Sequence, residues 1–211
     1  MFSHQMVPLL FPLYMLLLRL CSLSLCIWYH TNTFIINKLY DFYTMKVNSF
    51  RLYIANNIMH ILPETRFFRI KSFLFKLSGV KIGKNVRICS SAHIIGNGIL
   101  SIGDNTFIGP HTFIHVSSLI YIEKNCDISS NVIILNGSHE IDLEGEHIAG
   151  KGKSEDVYIG EGTWICTNAT LLGSSRIGAK CLVAASSTTK GQYPDNTIIK
   201  GCIAKPFPII K

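Results

Sequence analysis

The feature that most constrains this chain is a six-residue period beginning at Ile82, a register that neither a helix nor a sandwich produces. Aliphatic residues stand at Ile82, Ile88 and Ile94, at Ile102, Ile108 and Ile114, at Ile122, Ile128 and Ile134, and again at Ile159, Ile165, Leu171, Ile177 and Val183. Four places after each comes a mostly small residue: Val86, Ala92, Gly98, Thr106, Thr112, Ser118, Cys126, Val132, Ser138, Thr163, Ala169, Ser175, Cys181 and Ser187. Three such hexapeptides make one triangular coil, in which the aliphatic residue fills the prism and the small one lets the chain turn the corner. The first three coils begin at residues 82, 102 and 122, a 20-residue repeat that is 18 plus a two-residue insertion at the same corner. Stacked about 4.8 Å apart through parallel backbone hydrogen bonds, each coil gives the next a face to bury against. The expected fold is mainly β: a parallel β-helix over residues 80–205 with a loop at 136–156 and a C-terminal tail at 206–211.

Upstream the period is helical. Phe50, Ile54, Ile58 and Ile61 recur at three to four residues, and after Pro63 so do Phe67, Ile70, Leu74 and Leu77. This predicts a helical arm over 45–79, broken at Pro63. Arg66, Arg69, Lys71 and Lys76 give its second helix a basic face, either solvated or resting on a membrane surface.

The net charge of +7 is unevenly placed. Residues 1–90 hold eleven Lys/Arg against Asp41 and Glu64, whereas residues 91–211 hold nine basic against eleven acidic side chains. An excess confined to the N-terminal arm points to an anionic surface such as a lipid headgroup layer rather than to a nucleic-acid-binding core. Seven cysteines with no CxxC pair fit a reducing compartment, and the expected location is the cytoplasm, with membrane association through the arm. Residues 1–44 form a hydrophobic extension. Within it, segment 7–29 is long enough to cross a bilayer but carries Arg19 at its middle. It reads as a weak membrane segment, or as an upstream extension if Met45 is the natural start.

The hexapeptide period fails between Leu135 and Val157, where GSHEIDLEGEHIAGKGKSED intervenes. A roughly 20-residue structureless excursion in a compact fold is usually functional. It carries His139 at its base, then Glu140, Asp142, Glu144 and Glu146, His147 and a GKGK run.

These residues resemble the hexapeptide-repeat acyltransferases, the family of galactoside, maltose and polysaccharide O-acetyltransferases. The resemblance covers about residues 63–205 and rests on LSGVKIGKNVRI, GSHEID, VYIGEGTWI, VAAS, Lys190, PDN and KGCIAK. It implies a left-handed β-helix, although right-handed crossovers are the rule and the period alone does not fix the hand. It also implies an acyl-CoA-dependent O-acyltransferase with acetyl-CoA as donor, no metal, and assembly as a homotrimer. By the same resemblance His139 is the general base, a role that suits imidazole chemistry near neutral pH. The backbone amide of Thr167 would stabilise the oxyanion. Trp164 would shape the channel, Thr167 and Ala185 would contact the donor, and Lys190 and Lys205 would meet the CoA phosphates. His111 and Asp142 are the candidates for acceptor binding.

The sequence departs from the family where AASSTTK is one residue short, which leaves Ser186, Ser187 and Thr188 unassigned, and where Cys202-Ile203 replaces the usual Asn-Pro. The expected acceptor is a hydroxyl of a sugar or lipid-linked glycan in cell-surface polysaccharide or lipopolysaccharide synthesis. The alternatives are a xenobiotic acetyltransferase, a zinc hydratase of the γ-carbonic anhydrase type and a non-catalytic scaffold.

Overall fold

A computed structural model describes residues 46–201. The expectations for residues 1–44, for Lys205 and for the tail 206–211 lie outside the described residues.

All fourteen aliphatic positions of the hexapeptide series point inward and are buried, from Ile82 to Val183. They line a parallel β-helix of about six turns with three faces. The first face stacks Lys81–Ile82, Ile99–Ile102, Leu119–Ile122, Val157–Ile159, Arg176–Ile177 and Gln192–Tyr193. The second stacks Arg87–Ile88, Phe107–Ile108, Asp127–Ile128, Trp164–Ile165, Leu182–Val183 and Ile198–Ile199. The third stacks His93–Gly96, Phe113–Val116, Ile133–Leu135, Thr170–Leu172 and Thr188–Thr189. Register is in step throughout, as in Ile108↔Ile128 and Ile128↔Ile165, so like side chains stack in columns along the axis.

The corners explain the polar residues of the repeat. Asn85, Asn105 and Asn125 sit at the corner between the first and second faces with φ of 54°, 57° and 60°, a region that Asn enters more readily than most residues. Their amides form a ladder, Asn85 donating to Asn105, Asn105 to Asn125, and Asn125 to Glu161, each at 3.2 Å. The small residues that follow satisfy the turns: Thr106 Oγ1 donates to the Glu123 carbonyl and accepts the Cys126 N–H.

The aliphatic series is interrupted between Val183 and the buried Ile199 that stacks on it, for a physical reason. The next inward position is Thr189, whose hydroxyl is paired with Ser175 Oγ at 3.0 Å, so the core continues without an apolar signal. Tyr193 then takes the place of Ile177, only four residues after Thr189. Ser138 departs from the small-residue series altogether, since it lies outside the coil and is exposed.

Two helices close the N-terminal end. Helix α1 (Ser49–Met59) starts where Asn48 Oδ1 accepts the Arg51 N–H at 3.0 Å, and helix α2 (Phe68–Leu77) follows the break at Pro63. They satisfy the open edge of the first coil. Asn56 donates to the Ile94 carbonyl at 2.7 Å and accepts its N–H, Ser72 donates to the Val86 carbonyl, and Ser49 to the Gly96 carbonyl. Lys71 corrects the expected basic face. It is fully buried, and its ammonium donates to the Pro63 and Glu64 carbonyls at 2.8 and 2.7 Å. Burial lowers its pKa against the opposing pull of nearby anionic groups. No helix among the described residues is long and apolar enough to cross a membrane.

Candidate active site

The corner between the third and first faces, which takes a two-residue insertion in the first two coils, takes a much larger one in the third. It is not structureless. Gly137–Ile141 and Ala149–Ser154 pair antiparallel as a β-hairpin with His139 opposite Gly152. The register shifts between His139 and Ile141, a bulge of the kind that re-aims side chains near functional sites.

The hairpin is anchored by a residue the sequence did not single out. Asn136 is buried, and its Oδ1 accepts the Ser117 N–H at 2.7 Å while its Nδ2 donates to Ser118 Oγ at 2.8 Å and the Leu119 carbonyl at 3.1 Å. Its own carbonyl accepts the Glu155 N–H at 2.9 Å, tying the two feet of the hairpin together. The available signal was a polar residue where the preceding coil has buried Val116.

His139 is exposed on this hairpin with Nδ1 2.9 Å from the Gly150 carbonyl. A carbonyl only accepts, so Nδ1 carries the proton and Nε2 presents its lone pair outward. The backbone thereby sets the tautomer a general base needs.

Trp164 lies on the second face, half exposed, with Nε1 donating to Ser129 Oγ at 3.0 Å. Thr167 and Ala185 occupy the next corner in adjacent coils, where the Thr167 carbonyl accepts the Ser186 N–H. The amides on either side of Thr167 are engaged, Cys166 with Val183 and Asn168 with Ser130. These residues and His139 thus belong to different corners of one prism, with the third face between them. Among the described residues, Lys190 is the expected donor contact brought to the hairpin. With Ser138, Lys153 and Glu155 it lines a cavity of about 80 Å³ at the hairpin's foot.

The two acceptor candidates already hold turns together. His111 is a corner residue with φ 56°, and its N–H donates to Ser91 Oγ at 2.9 Å. Asp142 Oδ1 accepts the N–H groups of Glu144 and Gly145 at 3.0 and 2.9 Å, closing the hairpin tip. Among the described residues no three His, Cys, Asp or Glu side chains form a group that could hold a metal ion.

No protein-family model matches the chain. Over 134 residues it is 30% identical to a protein of Escherichia coli (strain K12) named for an acetyltransferase of colanic acid biosynthesis, WcaF, covering 64% of this chain and 71% of that one. The chain belongs to the hexapeptide-repeat acetyltransferases. A second relative of this acetyltransferase, named for a lipopolysaccharide biosynthesis O-acetyl transferase, WbbJ, of the same organism, is 28% identical over 120 residues, covering 52% of this chain and 60% of that one. Among solved structures, the hexapeptide-repeat acetyltransferase VCA0836 from Vibrio cholerae shares the fold at a TM-score of 0.60 and 19% identity, covering 73% of this chain and 89% of that one. The N-acyltransferase AntD from Bacillus cereus, solved with dTDP and 3-hydroxybutyryl-CoA, aligns at 0.50 and 19% identity, covering 65% and 85%. The parallel β-helix and the membership in an acyl-transferring family inferred from the sequence both stand.

Proposed function

We propose that this acetyltransferase moves an acetyl group from acetyl-CoA to a sugar hydroxyl, in a glycan or lipid-linked glycan bound for the cell surface, and does so as a homotrimer on the cytoplasmic side of a membrane. The observation that carries the reading is the His139 ring, fixed by the Gly150 carbonyl with Nε2 outward, in a chain whose relatives are named for polysaccharide and lipopolysaccharide acetylation.

In this reading Nε2 of His139 takes the proton of the acceptor hydroxyl as its oxygen attacks the thioester carbonyl. Negative charge then develops on the carbonyl oxygen, and the Thr167 amide, lying between two engaged neighbours, donates to it. Collapse expels the CoA thiolate, which takes the proton from His139. The sugar leaves as its acetyl ester. Trp164 and Ala185 would flank the donor, and Lys190 and Lys205 would meet its phosphates.

Two observations support assembly. His139 and the Trp164–Thr167–Ala185 side of the prism are at different corners, so a second copy is needed to bring them face to face. The hairpin also leaves Ile141, Leu143 and Ile148 exposed, at 70%, 43% and 57%, as a neighbouring copy would require. His111 and Asp142 enter this reading as residues that shape the acceptor side through the turns they hold. The test is a screen of the full chain with acetyl-CoA against free sugars and lipid-linked oligosaccharides. Release of free CoA with the gain of one acetyl group by a glycan is expected; no thiol release with any glycan would overturn the reading.

A further inference from the structure

The helical cap carries a surface that acetyl transfer does not use. Residues 46–90 hold nine Lys/Arg and a single acid, Glu64. That acid is spent inward: its carboxylate accepts the Ser91 N–H and hydroxyl, the latter at 2.7 Å. Burial works against its charge, but the Ser91 hydrogen bonds and the nearby Lys71 outweigh that and hold its pKa below the ordinary carboxylate value. With Lys71 and Lys81 buried, the exposed cations are Lys46, Arg51, Arg66, Arg69, Lys76, Lys84 and Arg87.

Between these cations the helices present apolar side chains. At about 100° per residue, Ile70, Phe73 and Leu77 share one arc of α2, opposite the buried Lys71, Ser72 and Phe75. They are 50%, 58% and 51% exposed, and on α1 Phe50, Tyr53 and Ile54 are exposed as well. A groove of about 330 Å³ between the helices is lined by Arg51, Ile54, Leu74 and Leu77. On the other flank of α2 a groove of about 710 Å³ sets Arg69, Lys76, Lys84 and Arg87 around Phe68 and Phe73, with no acidic side chain in its lining.

Charge decides what such a surface fits. A second copy would bring cations against cations, which is costly at an interface. A soluble anion would engage the cations but leave Ile70, Phe73 and Leu77 in water. An anionic bilayer answers both parts, phosphates meeting the Arg and Lys groups while the aromatic and aliphatic side chains enter the acyl boundary. We propose that the face formed by α1, α2 and the Lys84–Arg87 edge of the first coil docks the enzyme on an anionic lipid bilayer. This deepens the reading of a lipid-linked acceptor, and the docking itself is independent of catalysis. The hairpin leaves the third coil, two coil spacings or about 10 Å along the axis from the first, so a docked cap holds His139 close to the headgroup layer.

The test uses the full chain without acetyl-CoA, sedimented with vesicles of phosphatidylcholine alone or mixed with phosphatidylglycerol. Binding is expected only to the anionic vesicles and should weaken steeply with salt. Each cation at such a surface changes partition by about fivefold, so the triple variant Arg69→Gln, Lys76→Gln, Arg87→Gln, which removes three of them, should bind on the order of 100-fold more weakly. Because residues 1–45 are also apolar, hydroxyl-radical footprinting supplies a readout local to the cap: oxidation of Phe73 and Leu77 should be lost on adding anionic vesicles. Melting temperature and turnover on a soluble sugar should be unchanged in the triple variant. Undiminished oxidation of Phe73 and Leu77 in the presence of vesicles, or a triple variant that binds within about threefold of the parent, overturns the proposal. A loss of docking with soluble turnover intact separates this inference from the acetyl-transfer reading, which fails only if glycan acetylation itself is absent.

Discussion

Asn136→Ala removes the side chain that joins the foot of the hairpin to the Ser117–Leu119 corner of the preceding coil. Three short hydrogen bonds disappear, those to the Ser117 N–H, Ser118 Oγ and the Leu119 carbonyl. At about 1 kcal/mol net each they sum to roughly 3 kcal/mol, and a Ser117 N–H left buried without a partner adds about 1–3 kcal/mol. Asn136 is 1% exposed, so water cannot replace the amide without opening the corner. The expected loss is about 4–6 kcal/mol, read by urea denaturation at fixed protein concentration, because assembly contributes to apparent stability. The anchor also sets where His139 stands, so turnover should fall at temperatures where the variant is still folded. A stability loss below about 1 kcal/mol, or unchanged turnover, would refute the view that Asn136 is the hairpin's anchor.

Ile128→Ala empties the column between Ile108 and Ile165 and should cost about 2–5 kcal/mol in the same assay. Lys71→Met leaves the Pro63 and Glu64 carbonyls without their donor and should lower stability by about 1–3 kcal/mol, whereas a surface cation such as Arg66 should be replaceable at little cost. Burial pushes the thiols of Cys89 and Cys126 up to about 11. The unfolded thiols ionise near pH 8.5, so over that interval the folded chain binds more protons and stability falls as pH rises from about 9 towards 11. The Cys89→Ala, Cys126→Ala variant should show a flatter decline.

What the sequence could reveal divided along a physical line. An inward aliphatic every six residues is a repeated demand of the prism, and Ile82 to Val183 announce it fourteen times over. Where the core turns polar, as at Thr189 with Ser175, the signal stops although the coil continues. The hairpin escaped notice because Gly137–Ile141 and Ala149–Ser154 are stabilised by pairing with each other while almost wholly exposed, so neither strand alternates in hydropathy. Lys71 looked like one more surface cation, since nothing local to it shows that two carbonyls at the Pro63 break await a donor. His139 was singled out by resemblance. The Gly150 carbonyl that sets its tautomer was not, because the contact depends on strand register across the hairpin.

The most direct test of the account is His139→Ala, measured with acetyl-CoA and an acceptor found in the glycan screen. A general base usually accounts for a factor on the order of 100 to 10,000, so kcat should fall by that much while the acetyl-CoA dissociation constant and the melting temperature stay nearly unchanged. A variant that keeps more than about half of the parent's turnover would contradict the assignment of His139 as the base and with it the proposed mechanism.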